Sequence, residues 1–155
     1  NKEIYSGKIT DNIYLPEGGA IQKTPDESQI TKAKNLDEQI AMGKSVFTQN
    51  CAACHQPDGK GVNGAFPPLA KSDFLNADVK RAIGIVKNGL SGPITVNGEK
   101  FNSVMPSLGL NDDDTANVLT YIYHSWGNSK KKVTPQDVKA SNKATAKGAA
   151  EKGGE

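Results

Sequence analysis

The sequence predicts a small all-α domain of about three to five helices joined by long loops. Three stretches place apolar residues at the three- and four-residue steps of an amphipathic helix, and glycine and proline interrupt the segments between them. At 155 residues, the chain is long enough for one domain with extensions. We assign residues 37–127 to the domain, residues 1–36 to a linker or N-terminal extension, and residues 128–155 to a flexible tail rich in lysine, alanine and glycine.

The composition leaves the predicted domain short of apolar side chains. Hydrophobic residues make up 35% of the chain and aromatic residues 6%, so we expect a bulky enclosed cofactor to supply apolar volume. The formal net charge is +2, yet residues 37–127 carry seven basic and nine acidic side chains. The basic character therefore lies outside the domain, and no basic patch with interleaved aromatic residues indicates a nucleic-acid partner.

The first helix is predicted over residues 37–54. Asp37 and Glu38 suit its first turn, where exposed backbone amides favour negative charge. Five residues at helical spacing share one face: Ile40, Gly43, Phe47, Cys51 and Cys54. Gly43 on this face would allow another helix to approach closely.

The second helix is predicted over residues 77–88 and stops at Gly89. Its inward-facing residues are Val79, Ala82, Ile83 and Val86. The segments on either side, 56–76 and 89–110, contain several glycines and prolines, and we expect both to be loops.

The third helix is predicted to begin after Asn111, a typical N-cap residue, and to run to Trp126. Three aspartates follow Asn111 in the first turn. The expected buried stripe comprises Val118, Leu119, Ile122 and Trp126. Gly127 is expected to end the helix.

The pentapeptide from Cys51 to His55 reads C-x-x-C-H, the pattern for covalent haem attachment. Cys51 and Cys54 can each form a thioether with one haem vinyl group, and His55 can bind the iron as the proximal axial ligand. The chain has 2 Cys and 2 His, and three of these four residues fall within the pentapeptide. The pattern therefore predicts one covalently bound haem c.

Two other uses of this motif remain open. A Cys51–Cys54 disulfide would make the chain a haem-free dithiol domain, although a thioredoxin-like motif would follow a strand rather than a helix. A structural zinc site needs four Cys or His ligands, and only His124, far downstream, remains to complete such a set.

The sixth iron ligand has several candidates: Met42, Met105, His124, a lysine, or none. Met105 is favoured because it lies in a loop, from which it can reach the haem face opposite His55, and Pro106 stiffens the backbone beside it. Met42 lies on the same helix as the cysteines, which is a poor position from which to reach that face. His124 lies on the third helix, where a surface or edge position is expected.

Ligation by His55 and Met105 has a functional consequence. A thioether ligand raises the reduction potential of haem iron, and two protein ligands leave no position for substrate. We therefore expect single-electron transfer rather than catalysis, with no catalytic residues. The alternative function is that of a haem-based gas sensor or enzyme, in which the sixth position of the iron is open.

Carbonyl groups are expected to orient His55. A ligating histidine usually donates its other ring proton to a fixed acceptor. Pro67 and Pro68 cannot donate, but either carbonyl could accept.

With these residues assembled, the chain resembles the class I cytochrome c family over residues 37–127. The spacing of Gly43, Phe47 and Cys51 is similar to that of the family's first helix, and Tyr121 fits the aromatic position of its last helix. The segment Pro67-Pro68-Leu69 resembles the family's Pro-x-Leu, and Met105-Pro106 resembles its distal methionine loop. The resemblance implies that Pro67 accepts from His55, that Leu69 packs on the porphyrin, and that Met105 is the second ligand.

A narrower resemblance concerns the flanking segments. Residues 89–98 look like those of small bacterial cytochrome c domains fused to oxidoreductases, and residues 3–8 and 13–16 look like the end of a copper domain. The arrangement is similar to that of haem-tethered, three-domain copper nitrite reductases. It implies an electron-donor domain whose partner is a fused copper domain. A stand-alone shuttle serving another redox protein is the alternative.

The expected location is the periplasm. No run of the sequence is long and apolar enough to span a membrane, and the chain starts at Asn1, as a processed or excised protein would. Haem is attached to C-x-x-C-H motifs outside the bacterial cytoplasm, and the location follows from that chemistry.

Overall fold

The computed structural model describes residues 32–142. The elements in chain order are α1 (Leu36–Asn50), α2 (Ala52–His55), α3 (Asp73–Ala77), α4 (Val79–Asn88), β1 (Ile94–Val96), β2 (Glu99–Phe101) and α5 (Asp112–Tyr123). Residues 135–142 are also helical and are called α6 here. Residues 1–31 of the extension predicted over 1–36, and residues 143–155 of the tail predicted over 128–155, lie outside the described residues.

The first predicted helix is present as two consecutive segments. The side chain of Asn35 caps α1 by accepting from the backbone amide of Glu38 at 2.8 Å, and the two acidic residues occupy the first turn as predicted. Helical hydrogen bonding continues through Cys51, whose amide donates to Phe47 at 2.8 Å and whose carbonyl accepts from His55 at 2.9 Å. The backbone of Cys51 nevertheless departs from helical geometry, with φ at −116°. The single helix predicted over 37–54 therefore breaks there.

Helices α1 and α5 cross at Gly43. A Cβ atom built on Gly43 would lie 2.0 Å from the carbonyl oxygen of Asn117 and 2.7 Å from Cβ of Tyr121. Only a residue without a side chain allows this approach. Next to the crossing, the rings of Phe47, Tyr121 and Trp126 pack with centroids 5.3–5.7 Å apart.

Helix α4 confirms the second predicted helix. The Asp78 side chain caps it by accepting from the amide of Arg81 at 3.1 Å, and it ends before Gly89. The three residues that it buries, all predicted to face inward, are Ala82, Ile83 and Val86.

Helix α5 begins as predicted, because the Asn111 side chain accepts from the amide of Asp114 at 2.7 Å. Val118, Leu119 and Ile122 are buried. The helix ends at Tyr123 rather than Trp126. Trp126 adopts φ +54°, which a right-handed helix cannot accommodate.

The two predicted loops contain regular structure that was not expected. Helix α3 interrupts the first loop, and the Ser72 side chain caps it by accepting from the amide of Leu75 at 3.1 Å. In the second loop, β1 and β2 pair as an antiparallel hairpin with Ile94 opposite Phe101. Its turn is Asn97-Gly98, with φ +51° and +83°, the residue pair preferred in tight hairpin turns.

The predicted flexible tail is wrong for residues 128–142. Val133 and Val138 are fully buried and belong to the hydrophobic core. The carbonyl of Val133 accepts from Nε2 of Gln39 at 2.7 Å and from the Thr120 hydroxyl at 3.1 Å, and its amide donates to the same hydroxyl at 3.0 Å. The composition predicted a polar tail. The buried side chains of Val133 and Val138, together with the hydrogen bonds of Val133 to Gln39 and Thr120, hold this segment against the helices.

The close crossing at Gly43 can be tested with a matched pair of helical glycines. Gly43→Ala is expected to destabilise the protein by about 1–3 kcal/mol, because the new methyl overlaps backbone atoms of α5. Gly84→Ala, within α4, meets no atom within 4 Å and is expected to be neutral or to stabilise by up to ~1 kcal/mol. Denaturant titration measures the free energy of unfolding of both variants. Equal effects of the two substitutions would contradict the crossing.

Candidate cofactor site

An apolar cavity opens among the helices and the hairpin. It holds about 720 Å³ of empty space, its open mouth included. Most of its lining is aliphatic or aromatic: Phe74, Leu75, Ala82, Ile85, Val86, Ile94, Val96, Val118, Leu119 and Ile122. Such a lining suits a large apolar group, which is the kind of enclosed cofactor expected from the composition.

A second cavity of about 480 Å³ adjoins the first. Five residues line both: His55, Pro67, Leu90, Ile94 and Met105. Cys51 lines the larger cavity and Cys54 the smaller one. The structure therefore places Cys51, Cys54, His55 and Met105 around two adjoining cavities.

The two cysteines differ in exposure. Both are free thiols; Cys51 is buried and Cys54 is exposed. Burial, with a smaller contribution from the neighbouring Cys54, raises the pKa of Cys51 to about 11. Before haem is attached, Cys51 is thus a protonated thiol near neutral pH, and the site shows no Cys51–Cys54 disulfide.

His55 is held in one orientation by a backbone carbonyl. Its Nδ1 atom lies 2.9 Å from the carbonyl oxygen of Pro67, the acceptor expected from the sequence. Because a carbonyl can only accept, Nδ1 carries the proton and Nε2 keeps its lone pair. Burial lowers the pKa of His55, opposed in part by the bond to Pro67. Burial therefore favours the neutral ring, the form in which imidazole binds a metal ion.

The loop that carries Pro67 folds tightly around Gly61. The amide of Gly61 donates to the carbonyl of His55 at 2.9 Å, and its φ is +65°. A Cβ atom at this position would lie 2.2 Å from the carbonyl oxygen of Phe66 and 2.7 Å from that of Pro67. The glycine thus permits the approach that points the Pro67 carbonyl at His55.

Met105 is fixed by backbone pairing with Leu90. The two residues exchange hydrogen bonds of 2.8 and 2.9 Å, which anchor the methionine loop beside the end of α4. Met105 is half-buried and lines both cavities. The pairing holds the backbone of Met105 and directs its thioether to the same space as His55.

The other candidate ligands lie elsewhere. Neither Met42, on α1, nor His124 lines either cavity. Nδ1 of His124 lies 2.8 Å from the carbonyl oxygen of Thr120, within its own helix end. Between residues 32 and 142, no three Cys, His, Asp or Glu side chains cluster as a metal site would require. Of the predicted axial ligands, the structure brings together His55 and Met105.

Sequence reasoning found Leu69, which lines the larger cavity, but missed the contribution of the hairpin and of α3. Ile94 and Val96 of β1 and Phe74 of α3 also line that cavity. The Asn97-Gly98 pair between two short apolar runs was the available signal for the hairpin. Ser72, placed before a short helical segment, was a weaker signal for α3.

The profile of the Cytochrome c family matches residues 40–126. A cytochrome c-552 from Thermus thermophilus is 38% identical over 126 residues, covering 66% of this chain and 95% of that protein. The match therefore spans nearly all of that relative.

Two longer relatives are similar in one part of their length. The cytochrome c subunit of a quinone alcohol dehydrogenase from Gluconobacter oxydans is 32% identical over 119 residues, covering 74% of this chain and 24% of the subunit. Subunit FixP of a cbb3-type cytochrome c oxidase from Rhizobium meliloti is 34% identical over 101 residues, covering 63% of this chain and 31% of the subunit. The similarity to these two proteins is therefore confined to one segment of each subunit.

The role of the tight loop can be tested with two of its glycines. Gly61→Ala is expected to cost about 1–2 kcal/mol for the left-handed backbone and a further 1–3 kcal/mol for the overlap with Phe66 and Pro67. Gly64 has a similar φ of +74° but open space around it, so Gly64→Ala is expected to cost only the backbone contribution. Denaturant titration measures the free energy of unfolding of both variants. If Gly64→Ala were as destabilising as Gly61→Ala, the close approach of the Phe66 and Pro67 carbonyls to Gly61 would be contradicted.

Proposed function

Because the chain belongs to the cytochrome c family, which confirms the predicted covalent haem c, we propose that it carries single electrons at an iron held by His55 and Met105. The observation that carries the proposal is that both side chains line the same apolar cavity, with the imidazole already oriented by Pro67. Cys51 and Cys54 would anchor the haem, and Leu69 would pack against the porphyrin.

The bound haem supplies a one-electron iron couple, and the chain controls how that couple behaves. With haem bound, His55 and Met105 would both hold its iron, which would leave no open position for substrate. The thioether of Met105 would raise the reduction potential. The apolar lining excludes water and with it the reorganisation that would slow electron exchange. These features support a carrier rather than an enzyme.

The exposed rim beside Cys54 is the proposed site of electron exchange. Val104 is 72% exposed, lines the smaller cavity together with Cys54, and precedes Met105. Val62, 42% exposed, pairs with Phe66 on the same cavity's lining. Large apolar side chains on the surface mark contact sites, and a small apolar patch suits brief encounters with a redox partner.

The proposed location is the periplasm, because covalent haem attachment to C-x-x-C-H takes place there in bacteria. Among residues 32–142, no helix has the length and apolar character needed to cross a membrane.

A narrower proposal is that the chain serves a copper nitrite reductase as its fused haem domain. It rests on the resemblance of residues 3–8 and 13–16 to the end of a copper domain, and of residues 89–98 to small bacterial cytochrome c domains fused to oxidoreductases. Residues 3–8 and 13–16 lie outside the described residues. The three relatives above are a small cytochrome and subunits of a dehydrogenase and an oxidase, so they support the general role of electron carrier. A His/Cys/Met copper-site pattern in the sequence preceding Asn1 would decide in favour of the fused enzyme.

The assignment of Met105 can be tested by truncation. Met105→Ala is expected to yield a folded, haem-bearing protein that binds carbon monoxide rapidly. Its reduction potential is expected to fall by about 60 mV or more, a tenfold change in the one-electron equilibrium, because the thioether no longer favours reduced iron. Met42→Ala is the control and is expected to leave the potential unchanged. An unchanged potential in Met105→Ala would exclude Met105 as a ligand, and rapid carbon monoxide binding by the unmodified protein would favour the open-site rival.

The exchange rim can be tested without knowing the partner, because copies of the protein exchange electrons with each other. Val104→Lys is expected to slow this self-exchange about tenfold, since it places two like charges at the contact. Leu36→Lys adds the same charge at the N-terminal end of α1, about 20 Å of helix away from Cys51, and is expected to have little effect. NMR line broadening in mixtures of oxidised and reduced protein measures both rates. Equal rates for the two variants would place the exchange site elsewhere.

A further inference from the structure

Asn128 is a buried amide whose hydrogen bonds join three parts of the fold. It is 7% exposed. Its Nδ2 group donates to the carbonyls of Leu69 and Ile122, both at 2.9 Å. Its Oδ1 atom accepts from Nδ2 of Asn76 at 3.0 Å. Both donors and the acceptor of this side chain are therefore engaged, which fixes its orientation.

The bond to Leu69 acts on the loop that orients His55. Leu69 follows Pro67 by two residues, and the residue between them is Pro68, whose ring fixes its φ angle. On the other side, the amide of Leu69 donates to the carbonyl of Gly59 at 2.7 Å. A displacement of Leu69 is thus transmitted along a stiff dipeptide to the Pro67 carbonyl.

The turn that presents Asn128 also packs against this loop. Trp126 has φ +54°, an unfavourable conformation for a bulky residue, and one that a surrounding structure must hold in place. A Cβ atom on Gly59 would lie 2.5 Å from Cε3 of the Trp126 ring, so the indole lies directly on the loop. Residues 126–128 therefore contact the loop twice, at Gly59 through the ring and at Leu69 through the amide.

We propose that Asn128 is a positioning residue that keeps the Pro67 carbonyl on His55 and thereby lowers the reduction potential of the iron. The inference rests on the proposed ligation by His55. A ligating histidine that donates from its second nitrogen is a more basic ligand, and a more basic ligand favours oxidised iron. Loosening the loop weakens the Nδ1–carbonyl bond and shifts the equilibrium toward reduced iron.

The test compares Asn128→Ala with Gln39→Ala in the haem-loaded protein. Gln39 is a matched control because it is a similarly buried amide, 5% exposed, whose side chain donates to a backbone carbonyl of the C-terminal segment, that of Val133, rather than to the carbonyl of Leu69. Both variants are expected to lose stability. Only Asn128→Ala is expected to shift the one-electron equilibrium toward reduced iron, by about threefold, or ~30 mV upward in potential at 59 mV per tenfold. NMR is expected to show faster solvent exchange of the His55 Nδ1 proton in that variant alone.

A wild-type potential and wild-type proton exchange in folded Asn128→Ala would overturn the proposal, as would an equal shift in Gln39→Ala. If Asn128→Ala does not fold, Asn76→Ala serves instead. It leaves the bond to Leu69 possible but removes the partner that orients the amide, and a smaller upward shift is expected; no shift would overturn the proposal. Absence of a reversible one-electron couple in the unmodified protein would instead contradict the proposed function.

Discussion

The crossing of α1 and α5 at Gly43 is the constraint from which the geometry of the site follows. A backbone-to-backbone approach at this point leaves no room for adjustment, since the nearest atoms on α5 belong to the peptide of Asn117. It fixes the end of α1, which Cys51 follows, relative to the end of α5, which the turn containing Trp126 follows. The contact between Gly43 and the main chain of Asn117 thereby fixes the position of the haem motif, residues 51–55, relative to the turn at residues 126–128.

The site depends on main-chain groups as much as on side chains. A carbonyl orients His55, paired amides and carbonyls hold Met105 to Leu90, and a buried amide holds Leu69. Backbone groups have fixed positions once the chain path is set, so they can hold a ligand with little loss of side-chain entropy. The apolar lining needs only to fill space, which many combinations of aliphatic residues can do.

The parts of this molecule that could be predicted from the sequence are those whose cause is local. The cap at Asn111, the stop at Gly89 and the C-x-x-C-H motif each lie within a few residues, and each was found. Helix α3 and the hairpin were missed, because the glycines and prolines around them were interpreted as loop signals although Asn97-Gly98 favoured a turn. The buried positions of Val133 and Asn128 were missed for a different reason: both partners of Val133, and Leu69 and Asn76 among those of Asn128, lie more than ten residues away in sequence, and composition carries no information about them. The roles of His55, Met105 and Pro67 were expected from motif and resemblance, and the structure supplies the distances on which their tests depend.

The hydrogen bond between Gln39 and Val133 joins residues 94 positions apart. Bringing the two ends of so long a segment together has an entropic cost. The formation of the separate helices does not reduce that cost. Helical domains dominated by local contacts fold fastest, and folding slows as contacts become more distant in sequence. This domain is helical in its secondary structure, yet it pairs residues near its two ends, so we expect the joining of those ends, rather than the formation of the helices, to limit how quickly it folds.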